Sequence, residues 1–161
     1  MKISDQDRRI LKELQRDCSA SLSEISERAG VASSTLWRKV QDFEATGLIS
    51  GRVAILDPKL ADTGLCVFAS VRIKDHTEEN VAAFGRIVAS SPEIMEAHAV
   101  AGTADYLVKL RCKDVEAYET FMTHNLLRNP AIKSVSSLFS LKELKYTTKK
   151  IKIHTSFECS V

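Results

Sequence analysis

The chain has 161 residues, of which 44% are hydrophobic and 27% charged, and its formal net charge is +2 at pH 7. This composition excludes a disordered chain and suits one domain or two small ones. It also excludes a strongly positive potential over the whole protein. Any surface that binds nucleic acid must therefore be local, or must be present twice in an oligomer. Residues 1–60 hold ten Lys or Arg against nine Asp or Glu, so we expect a dimer if this region binds DNA.

The four cysteines, Cys18, Cys66, Cys112 and Cys159, lie far apart, without a Cys-x-x-Cys pair or a histidine cluster. This spacing supports neither a zinc site nor a disulfide framework, so we expect reduced thiols, no metal and no cofactor. The sequence shows no signal peptide at its start and no apolar run near about 18 residues. It therefore predicts a cytoplasmic protein without a membrane partner.

A first helix is predicted over residues 5–18. Ser4 is placed to cap this helix, with Asp7 at the third position after it. The apolar stripe of the helix is formed by Ile10, Leu11 and Leu14. Such a stripe can close a three-helix core with two further helices.

Two short helices separated by a tight turn are predicted between Ser21 and Gly47. Ser21 and Glu24 form the S-x-x-E pattern of a capping box, and Gly30 ends the helix that they begin. The next helix begins at Ser33 and ends before Gly47, which is helix-turn-helix geometry. The apolar positions of the two helices are Leu22, Ile25, Ala29, Leu36, Val40 and Phe43.

The exposed side of the second of these helices carries hydrogen-bond donors and an aromatic ring. A major groove accepts such a face, although two capped helices joined by a glycine turn also occur in bundles that bind no DNA. The predicted DNA-binding residues are Ser33, Ser34, Thr35, Trp37, Arg38 and Lys39, with Arg52 of a wing strand expected over Leu48–Leu56. Trp37 has two open placements, stacking on the sugar backbone or packing against the preceding helix, and packing is favoured.

A domain boundary is predicted at residues 57–64, which have linker and turn composition. The period of apolar residues then changes from helical to alternating. The expected elements are a strand from Leu65, a helix capped by Thr77, strands over Ile94–Ala101 and Asp105–Cys112, a helix capped by Asp114 and a strand over Ile132–Leu141. This βαββαβ order predicts an α+β, ferredoxin-like domain with a four-stranded antiparallel sheet and both helices on one face.

The other face of that sheet would be bare. Phe68, Leu107 and Leu138 are expected there among Ser and Arg residues. Pairing with a second subunit is the simplest way to cover these side chains, so dimerisation is predicted from this surface as well as from the charge.

Several motifs in this order and spacing make the chain resemble the Lrp/AsnC family of bacterial and archaeal transcription regulators over nearly its full length. They are D-x-D-R-R-I-L at residues 5–11, E-A-T-G-L-I at 44–49, A-V-A-G-T-A-D-Y-L at 99–107, Y-x-x-F at 118–121 and S-S-x-F-x-L-K-x-L-K-Y-T-T at 136–148. The resemblance implies a DNA-binding regulator with an N-terminal winged helix-turn-helix and a C-terminal ferredoxin-like domain. It also implies a small effector, usually an amino acid, and homodimers that often build tetramers or octamers.

The domains expected on this basis are the winged helix-turn-helix at residues 1–50, a wing and linker at 51–64, the effector-binding and oligomerisation domain at 65–148 and a tail at 149–161. The tail departs from the short ending common in relatives. Its Lys149, Lys150 and Lys152 could form a solvated tail or an edge strand, and the first is favoured.

In the family the effector lies at an interface between subunits, against the loop after the second strand, where Gly102 and Asp105 match a G-x-x-D pattern. Gly102 lets backbone amides approach a ligand carboxylate, and Asp105 could bind an α-ammonium group or merely hold the hairpin. The predicted effector-binding residues are His98, Ala101, Gly102, Thr103, Asp105, Ser136 and Ser137. Ala101 occupies a position where relatives usually have Thr, so the identity of the effector stays open. A lone histidine in a strand, such as His98, is often only packed against its neighbours.

The mechanism expected from the resemblance is a sequence-specific binder of double-stranded DNA whose assembly or DNA binding responds to the effector. Two recognition helices per dimer would enter major grooves about 34 Å apart, and a coupling of about 1–3 kcal/mol would alter promoter occupancy. Two alternatives stay open. One is an enzyme like the sirohaem decarboxylases, which share this architecture, although His76, His98, His124 and His154 do not cluster. The other is an amino-acid sensor without DNA binding.

Overall fold

The computed structural model describes residues 3–149. These residues divide into two compact units, one made of residues 3–54 with 145–149 and the other of residues 55–144. The lysines of the tail at positions 150 and 152 lie outside the described residues, so the expectation of a solvated tail there stays a prediction.

The first unit is a three-helix fold, and two of its helices begin at the predicted capping residues. Its helices are α1 (Asp5–Arg16), α2 (Leu22–Ala29) and α3 (Ser33–Ala45). Capping boxes begin α1 at Ser4 and α2 at Ser21, as predicted. Gly30 takes φ +65° at the end of α2, a conformation that L side chains rarely adopt. The buried residues are Ile10, Leu11, Ile25, Ala29, Leu36, Val40 and Phe43.

Two predictions for this unit are wrong. Leu22 is 44% exposed, because it is the first residue of α2 and lies beyond the core that Ile25 and Ala29 enter. Residues 48–56 form no strand. A wing strand requires a neighbouring strand for its hydrogen bonds, and Val53 and Ile55 of this segment are 82% and 63% exposed.

The second unit has the predicted βαββαβ order. Its elements are β1 (Leu65–Ile73), α4 (Glu78–Ser90), β2 (Ile94–Ala99), β3 (Tyr106–Cys112), α5 (Val115–Phe121), a π-helical segment (Met122–Leu127) and β4 (Ile132–Phe139). The sheet is antiparallel throughout, in the order β2-β3-β1-β4. The α+β, ferredoxin-like prediction is thereby confirmed.

Some boundaries differ from those predicted. β2 ends at Ala99 and β3 begins at Tyr106, so the hairpin loop is longer than expected, and β4 ends at Phe139. The helical spacing of apolar residues predicts that Val81 and Val115 point inward. They are instead 40% and 59% exposed, because both lie near the start of their helices at the rim of the core.

The two faces of the sheet have different roles. Alternate residues of β1, from Val67 to Ile73, are buried against the helices, where the largest partners are Phe84, Tyr118 and Phe121. The intervening residues of β1 face away from the helices, and Phe68 of this strand and Leu107 of β3 are each 37% exposed. The open face is made of Cys66, Phe68, Ser70, Arg72, Glu96, His98, Leu107, Lys109, Arg111, Ser134, Ser136 and Leu138.

None of the helices within residues 3–149 is both long and apolar enough to cross a membrane. Over the same residues no three His, Cys, Asp or Glu side chains are grouped so that they could hold a metal ion.

Candidate DNA-binding surface and effector loop

Helix α3 presents a polar stripe on the side opposite its buried residues. Leu36, Val40 and Phe43 occupy the core of the first unit. The opposite side carries four exposed residues at positions i, i+3, i+4 and i+7, and we call them the outward stripe: Ser34, Trp37, Arg38 and Gln41. Side chains at this spacing lie along one line of a helix, which is the geometry needed to enter a groove.

Trp37 is 57% exposed, so the favoured prediction that it packs against the preceding helix is wrong. It follows Leu36 by one residue, which turns it about 100° away from the buried direction of α3. The three-helix core is filled by aliphatic residues and Phe43 without it. The indole is therefore available at the surface, beside Arg38.

Lys39 has a different position from the rest of the predicted DNA-binding set. Its Nζ lies 2.9 Å from Oδ1 of Asp7, and the two side chains are only 26% and 8% exposed. Oδ2 of Asp7 accepts hydrogen bonds from the amide and the hydroxyl of Ser4 at 3.0 and 2.7 Å. Burial raises the pKa of Asp7, but Lys39 and Ser4 together outweigh it and hold this pKa below its ordinary value. The structure thus places Lys39 beside the core and not on the outward stripe.

Ser33 and Arg52 also have partners within the first unit. The hydroxyls of Ser33 and Ser26 lie 3.0 Å apart, which joins the start of α3 to α2. Arg52 donates to Oε1 of Glu44 at 2.6 Å, in a pair with both side chains well exposed. Such a surface pair contributes little stability, so the guanidinium can exchange its partner readily.

Gln41 is a member of the stripe that the predicted set omitted. Its Nε2 lies 3.5 Å from Oε2 of Glu44, a long contact on an exposed surface. The spacing of seven from Ser34 was the signal in the sequence. Glutamine can read adenine through paired hydrogen bonds, and arginine can do the same with guanine.

The effector loop, residues 100–105, is anchored to the end of β1. The amide of Val100 donates to the carbonyl of Asp105, and the amide of Asp105 donates to the carbonyl of Val71, both at 3.0 Å. Oδ2 of Asp105 accepts from the amide of Ile73 at 2.9 Å. The carboxylate is thus oriented from a neighbouring strand and does not simply cap its own hairpin.

The other oxygen of Asp105 faces His76. Nε2 of His76 lies 3.2 Å from Oδ1, and the Asp105 side chain is 24% exposed. This histidine was missed by sequence reasoning because its contact joins residues that are far apart in the chain. Gly102, at the tip of the loop, has φ +150°, and no atom lies within 4 Å of where a Cβ would be. The loop therefore offers an oriented carboxylate beside an uncrowded backbone.

The remaining predicted effector residues are not brought to one place. The register pairs Ser136 with Ser70 on the open face and Ser137 with Ala69 on the helix-covered face, so their hydroxyls point to opposite sides. The hydroxyl of Ser137 is hydrogen-bonded to that of Tyr118, whose pKa is raised by burial. His98 is on the open face and is not packed, with Nε2 3.7 Å from Oε2 of Glu96.

Comparison with known proteins gives two matching family models. One, described as "Winged helix-turn-helix DNA-binding", matches residues 3–50, and the other, described as "Lrp/AsnC ligand binding domain", matches residues 66–150. A curated relative is the glutamate uptake regulatory protein of Zymomonas mobilis, 36% identical over 147 residues that cover 91% of this chain and 89% of that protein.

Two solved structures are similar to most of the chain. An AsnC family transcriptional regulator from Agrobacterium tumefaciens is 33% identical with a TM-score of 0.86, covering 92% of this chain and 96% of that one. A transcriptional regulator from Neisseria meningitidis, solved with L-Met, is 29% identical with a TM-score of 0.87, covering 91% and 95%. These relatives are regulators and not enzymes of the same architecture. The chain belongs to the Lrp/AsnC family of DNA-binding transcriptional regulators.

Proposed function

We propose that this regulator binds specific sites in double-stranded DNA through the outward stripe of α3 and that a small effector, an amino acid bound at the effector loop, modulates its DNA binding or assembly. The observation that carries the proposal is the stripe itself. Its four polar or aromatic side chains share one exposed line of a helix whose opposite side is buried. Thr35, at the edge of the stripe, and Arg52, through phosphate, complete the proposed contact set.

The small net charge limits how much of the DNA affinity can come from phosphate contacts. A single first unit carries too little excess positive charge for tight phosphate binding, so affinity must come from base contacts and from two units acting together. Two recognition helices about 34 Å apart would read successive major grooves of a roughly palindromic site. Ser34 is near the N-terminus of α3, where backbone amides favour a phosphate oxygen.

The effector would bind through its two charged groups. The backbone of Gly102 and its neighbours Ala101 and Thr103 can donate to an α-carboxylate, and Asp105 can accept from an α-ammonium group. The regulator from Neisseria meningitidis that was solved with L-Met supports an amino acid as the class of ligand. His98 and Ser136, both on the open face, would take part only if a second subunit covers that face.

Homodimerisation through the open face completes the proposal. Phe68 is paired with Leu138 on the neighbouring strand, Leu107 lies diagonally from Phe68 on β3, and Leu138 is 64% exposed. Burying them against a second copy removes apolar surface from water. We retain the predicted division into a DNA-binding domain, a linker and an effector-binding domain as part of the proposal.

The test is fluorescence anisotropy with labelled DNA from upstream of the protein's own gene, titrated at several salt concentrations. We expect binding that resists a large excess of unrelated DNA and that changes when amino acids are added. Equal affinity for both DNAs at every salt concentration, with and without each amino acid, would contradict sequence-specific regulation through this fragment. A genomic selection of bound fragments would then decide whether any site is preferred.

A further inference from the structure

A segment that follows β4 is in contact with α1. Residues 145–149 belong to the first unit, although β4 is part of the second. Nε2 of Gln15, in the last turn of α1, donates to the carbonyl of Thr148 at 3.2 Å. Exposure falls toward this contact, from 87% at Leu144 to 55% at Tyr146. The hydrogen bond to Thr148 therefore attaches this segment to the helix-turn-helix unit.

The attached segment is also strongly basic. We call residues 145–152 the basic arm, because they include four lysines and no acidic residue. Residues 1–144, in contrast, hold 19 Lys or Arg against 20 Asp or Glu. The positive net charge of the chain therefore comes from the arm. Its lysines are Lys145, Lys149, Lys150 and Lys152.

The two lysines of the arm that the structure describes are available to a ligand. Lys145 and Lys149 are exposed, and neither forms an ion pair within residues 3–149. Other basic side chains of the first unit do have acidic partners: Arg16 with Glu13, Lys39 with Asp7 and Arg52 with Glu44. An exposed ammonium group without an acidic partner can neutralise a DNA phosphate without first breaking an ion pair.

The contact at Thr148 limits how far the lysines can move from the first unit. Lys152 follows Thr148 by four residues, so the two Cα atoms can be at most about 14 Å apart. The helix that holds Thr148 is packed against the recognition helix, since Ile10 of α1 and Leu36 of α3 share one core. A DNA duplex carries one negative charge per about 1.7 Å of its axis. A duplex bound to α3 would therefore offer many phosphates to lysines attached to this unit.

We propose that the basic arm binds the phosphates of the DNA that flanks the bases contacted by the outward stripe of α3. The inference rests on the proposed function of that stripe. Contacts to phosphate carry no sequence information, so the arm adds affinity without adding specificity. It supplies the positive charge that residues 1–144 lack.

The test is the salt dependence of DNA affinity, measured on the full chain by fluorescence anisotropy between about 50 and 200 mM salt. The arm variant combines Lys145→Gln, Lys149→Gln, Lys150→Gln and Lys152→Gln. Each phosphate contact contributes about 0.9 to the slope of log affinity against log salt concentration, so we expect a slope less steep by at least about 2 per bound chain. Affinity at the lowest salt concentration should fall about tenfold or more, and equally for specific and unrelated DNA.

The matched control removes four exposed lysines from the second unit, with the substitutions Lys59→Gln, Lys74→Gln, Lys113→Gln and Lys133→Gln. It lowers the net charge by the same amount as the arm variant. Because these lysines are not attached to the helix-turn-helix unit, the slope should change by less than the contribution of one phosphate contact, about 0.9.

The outcomes separate the arm from the recognition helix. If the arm variant keeps the slope of the original protein, or if the control flattens the slope as much, the arm proposal is overturned while DNA binding through α3 stands. A loss of affinity confined to the specific DNA also overturns it. If light scattering shows that the arm variant has lost its oligomeric mass, the lysines serve assembly and the arm proposal is wrong. If the original protein binds no DNA, the proposed function fails as well.

Discussion

The ammonium group of Lys39 and the carboxylate of Asp7 are 2.9 Å apart, and this ion pair joins α3 to the first turn of α1. The same carboxylate completes the capping box of α1 through Ser4. The Asp7 carboxylate thus accepts a hydrogen bond at the N-terminus of α1 and also holds α3 in place through Lys39. Lys39 of the recognition helix therefore stabilises the three-helix fold, while its neighbours Trp37 and Arg38 are exposed.

Replacing Lys39 with Met should destabilise the first unit by about 1–3 kcal/mol, because a nearly buried carboxylate loses its cation while the apolar stem of the side chain is kept. Urea unfolding measures the loss. The matched variant Arg38→Ala removes a cation from an exposed position of the same helix and should change stability by less than about 0.5 kcal/mol. Unchanged stability of Lys39→Met, together with weaker DNA binding, would reassign Lys39 to the DNA contact.

Asp7 should make the stability of the protein fall at acidic pH. Its folded-state pKa lies below the ordinary value of 3.8, so its stabilising effect is fully present above that value and is lost as the pH falls through the lower folded pKa. Asp7→Asn should be less stable at neutral pH and lose less stability between about pH 5 and 2. Denaturant midpoints at a series of pH values test this; parallel curves for the two proteins would contradict it.

Arg38→Ala should weaken binding to a specific DNA site about tenfold or more, since an arginine paired with guanine contributes about 1–3 kcal/mol of discrimination. The control is Arg128→Ala, an exposed arginine of the second unit. Anisotropy titrations with specific and unrelated DNA measure both variants. An equal loss for both DNAs would show that Arg38 contacts phosphate only.

Trp37 is the only tryptophan in the chain, and its exposure makes it a reporter of the DNA complex. We expect emission typical of a hydrated indole in the free protein and a change in intensity or wavelength on adding specific DNA. Trp37→Phe should remove the signal and retain the helix fold. An emission spectrum that stays the same at saturating DNA would place Trp37 outside the interface.

Leu138→Glu should shift the protein toward monomers, because it puts a charge among the apolar side chains of the proposed dimer face. Light scattering coupled to size-exclusion chromatography measures the mass. The control Leu60→Glu makes the same substitution in the turn that precedes β1, at a residue that is 90% exposed. If both variants keep the mass of the original protein, the open face is not the dimer interface.

Local sequence signals predicted α1 and α2 well because both helices begin at capping side chains that are close in sequence. Ser4 with Asp7 and Ser21 with Glu24 each form a cap within one turn. The wing strand failed for the opposite reason. Its pattern from Leu48 onward is compatible with a strand, but a strand exists only with a partner, and a short apolar run carries no information about the partner.

The effector loop was found from Gly102 and Asp105, yet its anchoring was not predictable. The hydrogen bond from Ile73 and the approach of His76 join β1 to a loop more than 25 positions later. Patterns within one element are visible in a sequence, whereas contacts between elements are not.

The alternation along β4 has a practical consequence for genetics. Ser136 and Leu138 face outward, while Val135 and Ser137 face the helices. Substitutions at adjacent positions of this strand should therefore affect different properties of the protein. In a library of all substitutions across this strand, the phenotype should alternate from one residue to the next. Inward substitutions should lower the amount of folded protein in the cell, whereas outward ones should leave abundance intact and alter the dose at which target genes respond.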